Sequence, residues 1–162
     1  MNGVQSFPKF LLCKWTFIIL LEVVVLVWIR KFNLKKAGIV NVSAGLVNIL
    51  VHFIVILKIL PFQWVNGGRT ETLEAACQIS LNSIIASVVG ILITLVASGI
   101  ISIRLNRFWE IALTVVLVVL LPLSFIGVLQ QFLGTLFEKC VMSAVAAIGF
   151  CSAVRIAFEK RW

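Results

Sequence analysis

The sequence lacks most of the residues from which catalytic and metal sites are built. Among its 162 residues there is no aspartate, no tyrosine and a single histidine. A site based on an aspartate pair, a Ser-His-Asp relay or several histidines around a metal ion is therefore excluded by inventory. The four cysteines include no Cys-x-x-Cys pair, so the sequence supports neither a thioredoxin-like redox centre nor a zinc site. We therefore expect no enzymatic activity, no metal and no cofactor.

Charged residues are scarce as well. They make up 12% of the chain, against roughly 25% in soluble domains, while 62% of the residues are hydrophobic and the mean hydropathy is +1.17. A surface with so little charge cannot face water throughout. The sequence thus predicts an all-α integral membrane protein, a polytopic transmembrane helix bundle surrounded by the lipid bilayer.

The net charge of +8 does not indicate nucleic-acid binding. The basic residues occur in short clusters between apolar runs, which is the pattern that sets membrane topology. With five spans, nine lysines and arginines fall on one side of the membrane and five on the other. Cytoplasmic loops are enriched in these residues. The N-terminus is therefore predicted outside or lumenal and the C-terminus cytoplasmic, in either the plasma membrane or an endomembrane.

Five apolar segments are long enough to cross a hydrocarbon core about 30 Å thick, which takes roughly 20 helical residues. The third is longer than a crossing requires, so we expect its first turns to stand above the membrane or the helix to tilt. The fifth is shorter and less apolar, and four spans with this segment at the membrane surface is the structural alternative. The predicted spans, within a single transmembrane domain, are residues 10–29, 38–60, 73–103, 109–129 and 140–158.

The second span carries the least usual residues for a lipid environment. Its polar and small residues are spaced three, four, three and four positions apart and so lie on one helical face: Gly38, Asn41, Gly45, Asn48 and His52. Amide and imidazole groups that faced lipid would leave donors and acceptors unpaired, so this stripe should face other helices. Two interpretations stay open: a packing seam, and an ion or ligand path in which His52 is the titrating group.

The first span adds Glu22, a carboxylate within an apolar run that should be protonated or paired. Counted from the cytoplasmic ends of the spans, Glu22 lies about 10 Å deep, Asn48 about 13 Å and His52 about 20 Å. We therefore expect Glu22 to contact Asn48, with His52 one turn further out. With Asn41 these residues form a predicted intramembrane polar network.

The third span presents a long face of small residues, which is typical of helix packing: Ala76, Ser80, Ser83, Ser87, Gly90, Thr94 and Ala97. The fourth span is almost wholly aliphatic, so we expect it to face lipid. Cys77 and Cys140 fall near the outer ends of their spans. They are placed to form a disulfide if that side is oxidising, and free thiols are the alternative.

The basic cluster after the first span consists of Arg30, Lys31, Lys35 and Lys36. Topology alone explains it, and anionic lipid headgroups are a further partner that it suits. Such a partner would be in addition to the bilayer and to other membrane proteins.

Two runs in the second and third spans, residues 45–50 (GLVNIL) and 81–90 (LNSIIASVVG), carry a family resemblance. They are similar to small eukaryotic tetraspan membrane proteins, the keratinocyte-associated and B-lymphocyte-antigen-like groups. The resemblance extends over about half of the chain. The chain departs from those groups in lacking their large extracellular loop and in adding a charged first span. The resemblance implies an accessory or receptor-associated role, with no catalytic residues to carry over.

The leading functional interpretation is a non-catalytic accessory component that acts by contact with other membrane proteins, because short loops leave no soluble domain for an active site. The alternative is a small ion- or proton-coupled channel or transporter, or a subunit of one, that uses Glu22, Asn48 and His52. A membrane enzyme acting on lipid is the weakest interpretation. It would depend on a few polar residues at one interface: Gln63, Asn66, Arg69, Glu71 and Glu74.

Overall fold

The computed structural model describes residues 20, 23–29, 31–64, 72–132 and 134–159. Across these residues the regular structure is helical, without a β-strand. Residues 20 and 23–29 are helical, and we term this described stretch α1. The long helices that follow are α2 (Leu34–Ile56), α3 (Leu73–Ala97), α4 (Arg107–Phe132) and α5 (Ser143–Glu159).

Four helical stretches are long and apolar enough to cross a membrane: Leu34–Ile56, Leu73–Ala97, Arg107–Gln131 and Glu138–Glu159. The last of these joins a π-helical turn, Glu138–Met142, to α5. The prediction of an all-helical chain with apolar helices of membrane-spanning length is confirmed for this part of the chain. Five spans are not established, because the structure describes only residues 20 and 23–29 of the predicted first span.

Side-chain caps decide where α2 and α3 begin. Asn33 accepts the backbone N–H of Lys36 at 2.8 Å, so α2 begins at Leu34, before the predicted position 38. Thr72 accepts the backbone N–H of Ala75 at 3.3 Å, and α3 begins at the predicted position 73. Apolarity alone locates the first of these starts too late, because the two lysines in the first turn of α2 interrupt the apolar pattern.

Both helices end earlier than predicted. α2 ends at Ile56 instead of position 60, and Lys58 then adopts a left-handed backbone with φ 60° while its N–H bonds the carbonyl of Val55 at 2.9 Å. α3 ends at Ala97 instead of position 103, and Gly99 follows with φ 69°. α3 therefore has 25 residues and is shorter than the predicted segment, although it is still longer than the roughly 20 residues that a crossing requires. A left-handed residue after each last turn stops the helix although the apolar sequence continues.

α4 begins at Arg107, where the side chain of Asn106 accepts the backbone N–H of Trp109 at 3.1 Å, and it continues through Pro122. The helix extends beyond the predicted 109–129 at both ends. Its apolar side chains are exposed along most of its length, as expected of a helix that faces lipid: Phe108, Trp109, Ile111, Val115, Val116, Val118, Val119, Leu120, Leu123 and Ile126.

α2 and α5 occupy the centre of the bundle. α2 packs against both α3 and α5, and α5 packs in turn against α4. The predicted contact between the second and third spans is thus present, with α5 as an additional neighbour of α2. Ala147, Cys151 and Ile156 of α5 are buried. The fifth segment is therefore part of the bundle, which argues against the alternative of a surface segment.

A buried apolar cluster joins all five helices and extends from the middle of the bundle to the end at which α2 begins: Ile29, Ala37, Ala97, Leu117, Cys151 and Ile156. α2 and α4 begin at this end, whereas α3 and α5 finish there, so successive long helices are antiparallel. We term it the basic end, because most of the described lysines and arginines lie in the segments that enter or leave the helices here: Lys31, Lys35, Lys36, Arg104, Arg107 and Arg155.

Candidate functional site

Polar side chains of α2 are hydrogen-bonded to hydroxyl groups of α3. Nδ2 of Asn41 donates to Oγ1 of Thr94 at 2.7 Å. About two helical turns further along α2, Nδ2 of Asn48 donates to Oγ of Ser87 at 2.8 Å. Each bond gives an amide within an apolar helix a partner that lipid cannot provide.

A third polar contact continues the same interface. Nδ1 of His52 lies 3.2 Å from Oγ of Ser80, and both side chains are buried. Which of the two donates the hydrogen depends on the imidazole tautomer. We term the three contacts the polar seam: Asn41–Thr94, Asn48–Ser87 and His52–Ser80.

The register of the polar seam is that of two antiparallel helices. From Asn41 to Asn48 the position on α2 rises by seven, while from Thr94 to Ser87 the position on α3 falls by seven. Seven residues make nearly two helical turns, so both partners return to the same faces. The first two contacts therefore keep one register. From Asn48 to His52 the position on α2 rises by four, while from Ser87 to Ser80 the position on α3 falls by seven, so the third contact is displaced by about one helical turn relative to the first two.

Glycines allow α2 to approach α3 and the residues directly after it closely, Gly45 between the polar contacts and Gly38 before the first of them. A Cβ at Gly45 would lie 2.9 Å from Cγ1 of Ile91, and a Cβ at Gly38 would overlap the side chain of Ser98. Separations this short would force neighbouring atoms to move. Small residues are the usual means by which membrane helices pack at close range. Gly38 and Gly45 thus belong to the same interface as the polar side chains of the stripe.

Asn41, Asn48 and His52 all face α3, yet each has its own partner there. Within the part of the chain that the structure describes, no hydrogen bond links these three side chains to one another. Glu22 lies outside the described residues, so its contact with Asn48 stays a prediction. The partner that the structure gives Asn48 is Ser87.

Two of the small residues predicted to line the packing face of α3 do not contribute to it. Oγ of Ser83 donates to the carbonyl of Ile79 on its own helix, and this bond is exposed. A Cβ at Gly90 would meet no atom within 4 Å. The remaining five form or flank the interface: Ala76, Ser80, Ser87, Thr94 and Ala97.

Asn41 is placed between α3 and α5. While its Nδ2 bonds Thr94, its Oδ1 would lie 3.5 Å from a Cβ built at Gly149 of α5. Cβ of Ala44 would lie 3.8 Å from the same point. Both separations are ordinary van der Waals distances, so α5 lies beside this part of α2 with room for a small side chain at position 149. Nothing in the sequence separates Gly149 from the other small residues of the fifth span, so this contact was not foreseen.

Arg155 is a further residue that sequence reasoning missed. Its Nη2 donates to the carbonyl oxygen of Phe32 at 3.3 Å and lies 2.8 Å from Oε2 of Glu159. The side chain is 24% exposed, and its Nε has no hydrogen-bond partner among the described atoms. These contacts attach the end of α5 to the turn before α2. The available signal was an arginine four positions before a glutamate at the end of an apolar helix.

The opposite end holds a capping box that sequence reasoning also missed. The N–H of Thr135 donates to Oε2 of Glu138 at 2.9 Å, and the N–H of Glu138 lies 3.4 Å from Oγ1 of Thr135. Oγ1 of Thr135 donates to the carbonyl of Trp64 at 2.5 Å. The start of the fifth segment is thereby attached to the loop after α2. The Thr-x-x-Glu spacing is readable in the sequence.

The predicted disulfide is not formed, since Cys77 and Cys140 are free thiols. Cys77 lies on α3, which packs chiefly against α2, whereas Cys140 lies in the π-helical turn, which packs against α4 and α5. Similar depth in the membrane suggested the pairing. Depth does not determine which helices are neighbours, and here the two cysteines lie on segments that pack against different helices.

The chemical groups of the polar seam are amides, hydroxyls and one imidazole, which suit hydrogen bonding between helices. Among the described residues, no three His, Cys, Asp or Glu side chains are grouped so as to hold a metal ion. Comparison of the chain with protein-family models, with curated proteins and with solved structures finds no match.

Proposed function

We propose that this chain is a five-span integral membrane protein that serves as a non-catalytic accessory component of a membrane complex. The polar seam carries the proposal, because the polar side chains of α2 are hydrogen-bonded to α3 inside the bundle. Polar groups placed in this way hold helices together. The exposed faces of the long helices are apolar and suit lipid and the helices of neighbouring membrane proteins.

The proposed orientation has the basic end in the cytoplasm. Six of the described lysines and arginines lie at that end, against Lys58 and Lys139 at the opposite end. This excess agrees with the enrichment of cytoplasmic loops in basic residues. An accessory role beside other membrane proteins is also what the resemblance of residues 45–50 and 81–90 to tetraspan proteins implies.

Purification of the tagged chain from membranes in a mild detergent tests the proposal. The accessory role predicts that at least one other membrane protein co-elutes in a fixed ratio and remains through a second affinity step. A parallel purification in a harsh detergent is the control, because it should release the partner while the chain itself is recovered. Recovery of the chain alone in both detergents would count against an accessory role.

The alternative is a small ion- or proton-coupled channel or transporter, or a subunit of one. Buried His52 favours it, because ionisable residues inside spans often mark transport paths. Reconstitution into proteoliposomes distinguishes the two functions when flux is measured in several ion and pH gradients. The accessory role predicts background flux for the unmodified chain and for His52→Ala. Flux that the unmodified chain supports and His52→Ala abolishes would establish transport instead.

A further inference from the structure

The basic end carries more positive charge than the chain itself balances. Among the described residues its six lysines and arginines are accompanied by two acids, Glu110 and Glu159, and one ion pair is formed, Arg155–Glu159. The opposite end has as many described acids as bases. The surplus therefore belongs to one end of the bundle. Because Arg155 is paired with Glu159, the surplus comes from two separate parts of the chain: residues 31–36 at the start of α2, and Arg104 and Arg107 at the start of α4.

The first turn of α2 supplies two of these six cations. It contains Lys35 and Lys36 and no acidic residue, although the amino end of a helix already carries partial positive charge. The first turns of α3 and α4 hold Glu74 and Glu110, the arrangement that balances the helix dipole. At the start of α2 the positive side chains and the helix dipole thus act in the same direction, and both favour an anion there.

The position of these cations identifies the anion. Trp28 and Trp109 lie at the same end with 53% and 58% of their surfaces exposed, and indole rings prefer the headgroup zone of a membrane. The side chains of Lys31, Lys35 and Lys36 are exposed at the same end, Lys31 before α2 and the other two in its first turn. In a membrane, the layer that these side chains meet is that of the phospholipid headgroups.

We propose that the basic end binds anionic phospholipid headgroups, with Lys31, Lys35 and Lys36 as the principal contacts. The inference rests on the proposed membrane-spanning function. Ammonium groups donate charge-assisted hydrogen bonds to the phosphate and carboxylate oxygens of such headgroups. Arg104 and Arg107 extend the same surface across the start of α4. Arg155 is a positioning residue, because its bond to the carbonyl of Phe32 holds the turn that carries Lys31.

Native mass spectrometry of the purified chain in detergent tests the proposal, with phosphatidylserine and phosphatidylcholine competing for it. The test variant is Lys35→Gln with Lys36→Gln, and the matched control is Lys58→Gln with Lys139→Gln at the opposite end. One basic residue near an anionic membrane surface contributes about fivefold to binding. We therefore expect the test variant to lower the preference for phosphatidylserine by roughly 25-fold, and the control to leave it unchanged.

Equal preferences in the two double variants, or no preference in the unmodified chain, would overturn the proposal. Inorganic phosphate added as a competitor separates the two sources of this chemistry. Retention of phosphatidylserine in its presence supports a lipid site, and displacement would show a free-phosphate site instead. Each protein is also extracted from membranes at alkaline pH. A chain that is released in that step contradicts the proposed function, whereas one that stays inserted yet shows no lipid preference contradicts only this inference.

Discussion

Asn41 on α2 donates a hydrogen bond of 2.7 Å to the hydroxyl of Thr94 on α3, 53 positions further along the chain. Lipid tails offer neither side chain a hydrogen-bond partner, so the two side chains bond to each other inside the bundle. Oδ1 of the same amide lies within van der Waals range of a Cβ built at Gly149, so Asn41 also lies beside α5. The hydrogen bond to Thr94 is therefore located where α2, α3 and α5 meet.

A double-mutant cycle on Asn41→Ala and Thr94→Val measures this bond. Interhelical hydrogen bonds in membrane proteins couple by about 0.6 kcal/mol, with values up to roughly 1.7 kcal/mol. We expect a coupling in that range in the free energy of unfolding, determined by SDS titration of the chain in mixed micelles. Strictly additive effects of the two substitutions would show that the bond contributes nothing.

Substitution of Gly38 and of Gly90 by alanine should affect stability differently. Gly38→Ala places a Cβ against the side chain of Ser98, so we expect a loss of about 1–3 kcal/mol from overpacking. Gly90→Ala is the matched control, because an added Cβ there meets no atom within 4 Å. It should leave stability unchanged or raise it by up to about 1 kcal/mol through helix propensity. Equal losses in the same unfolding assay would contradict a close approach at Gly38.

Arg155→Gln should destabilise the chain more than Glu159→Gln. The first removes the bond to the carbonyl of Phe32 together with the ion pair, and we expect a loss of about 1 kcal/mol or more. The second removes only a partly exposed pair at four-residue spacing, worth roughly 0.3–0.5 kcal/mol. Hydrogen exchange at residues 31–33 should rise in Arg155→Gln alone. Similar exchange in both variants would mean that Arg155 does not hold this turn.

Lys58→Gly should stabilise the chain. Lys58 has φ 60°, a conformation that is unfavourable for residues with a Cβ and open to glycine. We expect a gain of about 1 kcal/mol in the free energy of unfolding. Lys58→Ala removes the same charge but keeps a Cβ, and it should give no such gain. A gain of equal size in both variants would point to the charge and not to the backbone.

Two features could be predicted from the sequence: the all-helical fold class, and the face of α2 that packs against other helices. Polar residues stand out on an apolar helix, and their spacing shows that they share one face. The partners on α3 could not be predicted, because small residues recur there at every third or fourth position and several registers would bring a hydroxyl opposite Asn48. The close approach at Gly38 and Gly45 is among the contacts that select the observed register between α2 and α3.

The central position of α5 in the bundle could not be predicted from the sequence either. The candidate span Glu138–Glu159, which contains α5, has a mean hydropathy of 1.9, the lowest of the four. A short, less apolar fifth segment was the reason that a position at the membrane surface stood as the alternative. In the structure it is the span with the largest buried share. Small and polar residues reduce hydropathy, and they are also the residues that fit between neighbouring helices. Hydropathy alone therefore cannot separate a surface segment from a central helix.

Disulfide cross-linking in membranes tests the polar seam most directly. In a chain whose four native cysteines are replaced, Asn48→Cys is combined with Ser87→Cys, and as a control with Val88→Cys, whose native side chain is exposed one position further round α3. After oxidation with copper phenanthroline, peptide mass spectrometry should find the cross-link between positions 48 and 87 and little between 48 and 88. Equal yields for the two pairs, or no cross-link at 48 and 87, would contradict the seam.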